Sequence, residues 1–156
     1  DFHLIGCSYR ELKKYDQALE AFQEARALFK GLKEVIHVAR CDQNIAHCLT
    51  EKGDAEGALR AAQKALDVFE TAHDHRRENF ALFELAKAHV LNDQLDEGLQ
   101  EMEKVLDIVA ESEPKDFEFI MEIEKEIASV LRRIGRDAEA DEIDRRLESI
   151  ADVIDE

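Results

Sequence analysis

Along most of the chain apolar residues recur every three or four positions, as at Val38, Cys41, Ile45, Cys48 and Leu49, the period of one face of an α-helix. The pattern breaks at Gly53-Asp54, at Asn92-Asp93, at Gly135-Arg136 and between Glu111 and Asp116 around Pro114, residue types that end helices and make turns. These breaks predict eight helices, near 1–12, 15–30, 34–52, 55–72, 76–92, 95–111, 117–134 and 138–153. Ala, Leu, Glu, Lys, Gln and Arg dominate the composition and β-branched residues are sparse, so the expected class is all-α.

The helices are not independent in sequence. Small residues at Ala18, Ala58, Gly98 and Ala140 follow one another at intervals of 40, 40 and 42. Twelve positions before each stands another small residue, Gly6, Ala46, Ala86 or Ala128. Ile5, Ile45, Leu85 and Ile127 precede those, and Ala25, Ala65, Val105 and Leu147 close each unit. A fixed period of this length marks a stack of repeats. Small residues let two paired helices approach, and the large apolar residues a turn away fill the space between them. The chain is expected to be one domain, 1–156, of about four repeats: roughly 1–32, 33–74, 75–113 and 114–156. The two extra residues of the last interval fit the connection around Pro114.

The two ends differ. Leu19, Leu59 and Leu99 have Asp141 as their counterpart, and Phe22, Ala62 and Met102 have Asp144. A terminal repeat needs a polar outer face because nothing stacks on it, so the fourth repeat is expected to be a cap. The first shows no such change, and the expectation is that the chain is the C-terminal part of a longer repeat array.

Composition narrows the partners. Asp and Glu number 37 against 21 Lys and Arg, a net charge of −16, which argues against nucleic acid, whose phosphates require surplus basic side chains. No apolar run is long enough to span a bilayer. Cys7, Cys41 and Cys48 are odd in number and lack disulfide spacing, which suits a reducing compartment and predicts a cytoplasmic protein.

Ile5-Gly6, Tyr9, Tyr15, Ala18, Phe22 and Ala25, with Ile45-Ala46, Gly53-Asp54, Ala58 and Ala65 after them, resemble the tetratricopeptide repeat family. Leu85-Ala86, Gly98 and Val105, then Ile127-Ala128, Gly135, Ala140 and Leu147, carry the likeness to the end of the chain. The spacing near 40 departs from the family's usual 34 residues and is similar to the long-repeat variant of kinesin light chains, cell-polarity adaptors and bacterial regulatory proteins. The resemblance implies a right-handed superhelical solenoid of helix-turn-helix repeats. It also implies a concave groove, lined by the first helix of each pair, as the binding face.

Carried onto this chain, that face would hold His3, Cys7 and Arg10 in repeat one, and Arg40, Gln43, His47 and Thr50 in repeat two. Repeat three would supply Phe80, Phe83 and Lys87, and repeat four Lys125, Ser129 and Arg132. Asn44 matches one position of the family's clamp for a C-terminal carboxylate; His3, Cys7, Phe80 and Glu84 stand at the others, so a chaperone-tail adaptor is not expected. Lys and Arg without Asp or Glu would focus a positive field, and Phe80 and Phe83 would serve as apolar anchors, although Glu11, Glu51 and Glu122 lie at the edge. The expected partner is a protein or an acidic peptide with apolar side chains. The competing reading places both rings in the core and the basic residues on ordinary solvated faces.

Other chemistry is weakly signalled. His37, Cys41, Asn44 and Cys48 share a helical face, but the cysteines also lie on its apolar stripe, where a free Cys behaves as a small hydrophobe, and no C-x-x-C pair is present. No metal and no cofactor are expected. There is no Gly-rich phosphate loop, nucleophile elbow or H-E-x-x-H, so the chain is not expected to be an enzyme. The leading expectation is an interaction scaffold or adaptor; the alternative is a ligand- or peptide-sensing regulatory segment of a bacterial regulator. Self-association through the first repeat is a third option.

Overall fold

The computed structural model describes residues 1–155. Among these are eight α-helices and no strand: α1 (Phe2–Glu11), α2 (Tyr15–Gly31), α3 (Val35–Lys52), α4 (Ala55–Thr71), α5 (His75–Leu91), α6 (Leu95–Glu111), α7 (Phe117–Arg133) and α8 (Asp137–Asp155). Each helix packs on the next in the chain, and the odd helices also touch one another, α1 on α3, α3 on α5 and α5 on α7. Among the described residues the even helices make no such contacts with each other. The odd helices therefore crowd together on the inner side of the curve and the even ones fan out: an all-α repeat solenoid.

A finer period than the repeat governs the turns. Residues with φ in the left-handed region stand at Lys13, Lys33, Gly53, His73 and Asp93, twenty positions apart, and again at Gly135. At each, the following N–H reaches back five residues to a carbonyl, as in Lys14 to Tyr9, Glu34 to Phe29, Asp54 to Leu49, Asp74 to Phe69, Gln94 to His89 and Arg136 to Leu131. This is the Schellman closure of a helix, used alike within and between repeats. Glycine occupies only two of the six places, Gly53 and Gly135; the others bear the steric cost of an L-residue at positive φ. Asp1, Asp54, Asp74 and Asp116 then start the next helix by accepting a hydrogen bond from a first-turn N–H.

The small residues act as expected. A Cβ on Gly98 would stand 2.5 Å from Val90 and 2.9 Å from the Ala86 carbonyl oxygen, and one on Gly6 would stand 2.7 Å from the Phe22 ring. Ala18, Ala46, Ala58, Ala86 and Ala128 are all buried, and Phe22, Phe69, Met102 and Ile123 fill the space around them. Each such large side chain contributes roughly 1.5–3 kcal/mol by leaving water. At the far end Asp141 and Asp144, in register with buried Leu99 and Met102, are open to solvent and pair with Arg132.

Candidate binding groove

The inner faces of α1, α3 and α5 and the start of α7 enclose a trough. One part, about 620 Å³, is bounded by Tyr15, Gln43, His47, Glu51, Phe80 and Glu122. The other, about 360 Å³, is bounded by His3, Cys7, Arg40, Asn44, Arg76 and Arg77. Arg10, Gln43 and Phe80 belong to both, so the two are one continuous surface. Beyond Phe80 a third hollow of about 570 Å³ opens over Ile108, Val109, Pro114 and Phe117, next to the α6–α7 connection.

The trough is not of one sign. Its smaller part carries Arg10, Arg40, Arg76 and Arg77; the larger adds Glu11, Glu51, Glu84 and Glu122, with Lys13 and Arg10 opposing them. Titration directions report the field at each end. Burial, then Arg40, His37 and Arg10, push the His3 imidazole below its usual range, which favours its neutral form beside those cations. Burial pushes the Glu126 carboxyl up; Lys87 partly offsets this, while Glu122, Glu51 and Glu84 push it further. The expected single-signed basic groove is thus corrected to a polarised one, because acids at the edge of the helical arc swing inward where odd helices converge.

Arg10, Arg40, Gln43, Asn44, His47, Phe80 and Phe83 line the trough. Asn44 is buried and accepts a 2.6 Å hydrogen bond from Arg10, which ties α3 to α1. Phe80 is half-buried, its ring 4.5 Å from that of Phe119, whereas Phe83 is 2% exposed and meets Phe119 edge-on at 5.6 Å. Phe83 is therefore core with one edge on the trough, not a free anchor. Three expected residues stand elsewhere. Lys87 is buried beneath the surface, its ammonium 3.0 Å from Glu84 Oε1 and 4.7 Å from the Phe83 ring centre. Arg132 turns away from the trough to Asp141 and Asp144 of α8, which hold it. Lys125 is exposed and bounds neither part.

Glu84, Lys87 and His47 form the floor. His47 Nδ1 lies 3.3 Å from Glu84 Oε1 and 3.4 Å from Lys87 Nζ. Burial pushes the Glu84 carboxyl up, but the Lys87 ammonium and the His47 hydrogen bond outweigh it and hold the carboxyl below its usual range. Burial pushes the Lys87 ammonium down, but the Glu84 carboxylate, helped by Glu122 and Glu126, outweighs it and holds the ammonium above its usual range.

Tyr15, Arg76, Arg77 and Phe119 were not expected in the groove. A signal existed for the arginines: two adjacent cations in the first turn of an odd helix of an acidic chain, just after the Asp74 cap. Tyr15 and Phe119 belong to elements whose approach only packing reveals. The His37, Cys41 and Cys48 set does not converge: His37 stacks on Phe29 at 4.8 Å, and both thiols lie in the core, pushed up to about 11 by burial. Among the described residues no three His, Cys, Asp or Glu side chains are placed to hold a metal ion. Among the described residues no helix is long and apolar enough to cross a membrane.

The family model for the tetratricopeptide repeat matches residues 2–32, the first helix pair. Solved structures extend the likeness over the whole stack. The nearly identical TPR-like repeats assigned to a kinesin light chain of Podosopora anserina share 18% identity and a TM-score of 0.75, covering 96% of this chain and 72% of that one. The chain's first helix pair resembles the tetratricopeptide repeat, and its whole stack shares the fold of a TPR-like solenoid. Its solenoid also matches BtubC (BKLC) from P. vanneervenii, with 19% identity and a TM-score of 0.78 over 99% of this chain and 63% of that one. The MamA RS-1 ArsTM double mutant matches with 18% identity and a TM-score of 0.65 over 99% of this chain and 75% of that one. At such identities these neighbours speak to fold alone. A search of curated proteins returns no match.

Proposed function

We propose that this chain is a non-catalytic interaction module that holds a peptide or protein segment in the trough of its odd helices. Repeat solenoids of this type are generally protein-interaction scaffolds. The observation that carries the reading is a continuous concavity over three helix pairs, with Arg10, Arg40, Arg76 and Arg77 at one end and the half-buried Phe80 ring at its middle. In a chain of net charge −16, such a cluster draws an acidic segment to one place on an otherwise repelling surface. Phe80 and the hollow over Ile108 and Phe117 offer apolar surface beside it, the combination in which hot spots form. The buried free thiols Cys41 and Cys48 fit a cytoplasmic setting.

The test compares capture by the parent and by an Arg40→Glu, Arg76→Glu, Phe80→Ala variant whose helix content is checked by circular dichroism. Partners held by the parent and lost by the folded variant, then identified and bound again in purified form, support the trough. Equal binding by both moves the contact to another face.

A further inference from the structure

The carboxylate half of the trough is built as carefully as the arginine half. Glu84 bounds it, is only 8% exposed, and spends one oxygen, Oε1, on both Lys87 and His47. Its other oxygen, Oε2, is buried with no hydrogen-bond partner among the described residues. A buried acceptor left unpaired is costly, and the terminal torsion of a glutamate is soft enough to turn that oxygen toward the trough. Glu51 from α3 and Glu122 from α7 stand on the same cavity, and burial raises the Glu126 carboxyl, with Glu122, Glu51 and Glu84 pushing it further. The carboxylates are not gathered closely enough for a metal ion, which points to a cation of longer reach. The adjoining wall of Phe80, Phe83 and Phe119 already carries cations: the Lys87 ammonium 4.7 Å from the Phe83 ring centre and the Arg76 guanidinium 5.7 Å from that of Phe80.

We propose that this half is a subsite for one lysine or arginine side chain of the bound segment, its stem on the aromatic wall and its head donating to Glu84 Oε2 between Glu51 and Glu122. This rests on the reading of the trough as a peptide site and sharpens it. The segment it takes carries an acidic stretch toward Arg40, Arg76 and Arg77, and a base at a set distance from it. A uniformly acidic segment would leave Glu84 unpaired and meet Glu51 and Glu122 with like charge.

Random peptides displayed on phage and selected on the parent chain provide the test. Selected peptides should carry Lys or Arg at a constant spacing from Asp or Glu. In synthetic copies, replacing that base by norleucine should weaken binding about tenfold, the scale of one charge-assisted hydrogen bond. The same replacement should cost little on Glu84→Gln or Glu122→Gln, the signature of coupling in a double-mutant cycle. Glu122→Gln lies on the rim, outside the buried pair, and keeps the test valid where Glu84→Gln loosens the fold. Peptides that lose binding on Arg76→Glu but show no preference for a base overturn the subsite and leave the trough standing. A base whose contribution persists in both glutamine variants overturns the subsite too. Failure to select any trough-dependent peptide overturns both readings.

Discussion

The two halves of the trough carry opposite charge, and they are built differently. At the arginine half Arg77 pairs with the Asp74 cap and Arg40 meets His37, both within one turn, while Arg10 donates to Asn44 of α3. At the carboxylate half Glu84 is locked under the surface by Lys87 and by His47 of the preceding inner helix, beside the buried Phe83 ring. The first arrangement leaves charge free to meet a partner. The second builds charge into the fold and leaves only Glu84 Oε2 without a partner among the described residues. Asn44, Glu84 and Glu126 share a register on successive inner helices, yet one bonds Arg10, one is ion-paired and one titrates high. Register sets where a side chain stands, and the neighbouring repeat sets what it does there.

Mutations should separate the halves by size of effect. Phe83→Ala removes a ring from the floor and is expected to cost about 3–5 kcal/mol in urea unfolding, a large share of a domain's stability. Glu84→Ala leaves the Lys87 ammonium buried without its carboxylate, also at about 3–5 kcal/mol, and adding Lys87→Met should recover most of the loss. If Glu84→Ala alone proves neutral, the floor is wetter and looser than its geometry shows.

Acid distinguishes the two carboxylates of the shared register. The folded Glu84 carboxyl titrates below its unfolded value, so its contribution is fully present above the unfolded value and lost as pH falls through the folded one. Glu126 titrates above its unfolded value, so it favours the fold most below that value and loses this contribution as pH rises through the folded one. Thermal unfolding of Glu84→Gln should therefore converge on the parent as pH drops toward the carboxylate range. Glu84 pairs with His47 of α3 and Lys87 of its own helix, shares its cavity with Arg10, Glu11, Lys13, Glu51 and Glu122, and acts on Glu126 of α7. Glu126→Gln should stabilise slightly at neutral pH and make little difference in acid. Smallest of all, Arg76→Ala at the exposed wall should stay within about 0.5 kcal/mol of the parent, while reducing binding of any trough ligand.

The helix pairs could be read from the chain because each apolar position recurs with its small partner: Gly6 against Phe22, and Ala86 against Gly98 and Val90, are contacts between residues close in sequence. Three of the six left-handed turns were less legible, since Lys13, Lys33 and His73 carry no glycine or Asn-Asp signal and only their spacing of twenty betrays them. The groove was legible in outline, through the helical arc that contains Arg40, Gln43, His47 and Phe80. Its polarity was not. Whether Glu51 and Glu122 face the trough or pass beside it depends on the angle between successive inner helices, and one turn of side-chain reach decides the sign.

Sequence alone determined the class, the number of helices and the stacking of pairs, because local periodicity and the size of residues at the helix contacts suffice for those. Only the tertiary structure decided that Phe83 and Lys87 belong to the floor, that Arg132 turns away from the trough to α8 and that Glu84 keeps an oxygen unpaired. Those outcomes depend on contacts between residues roughly a repeat apart, such as His47 with Glu84 and Phe83 with Phe119. The energy of a charge is set by how much water its neighbours exclude and by which partner they bring within reach, and neither is written in the spacing of a single helix.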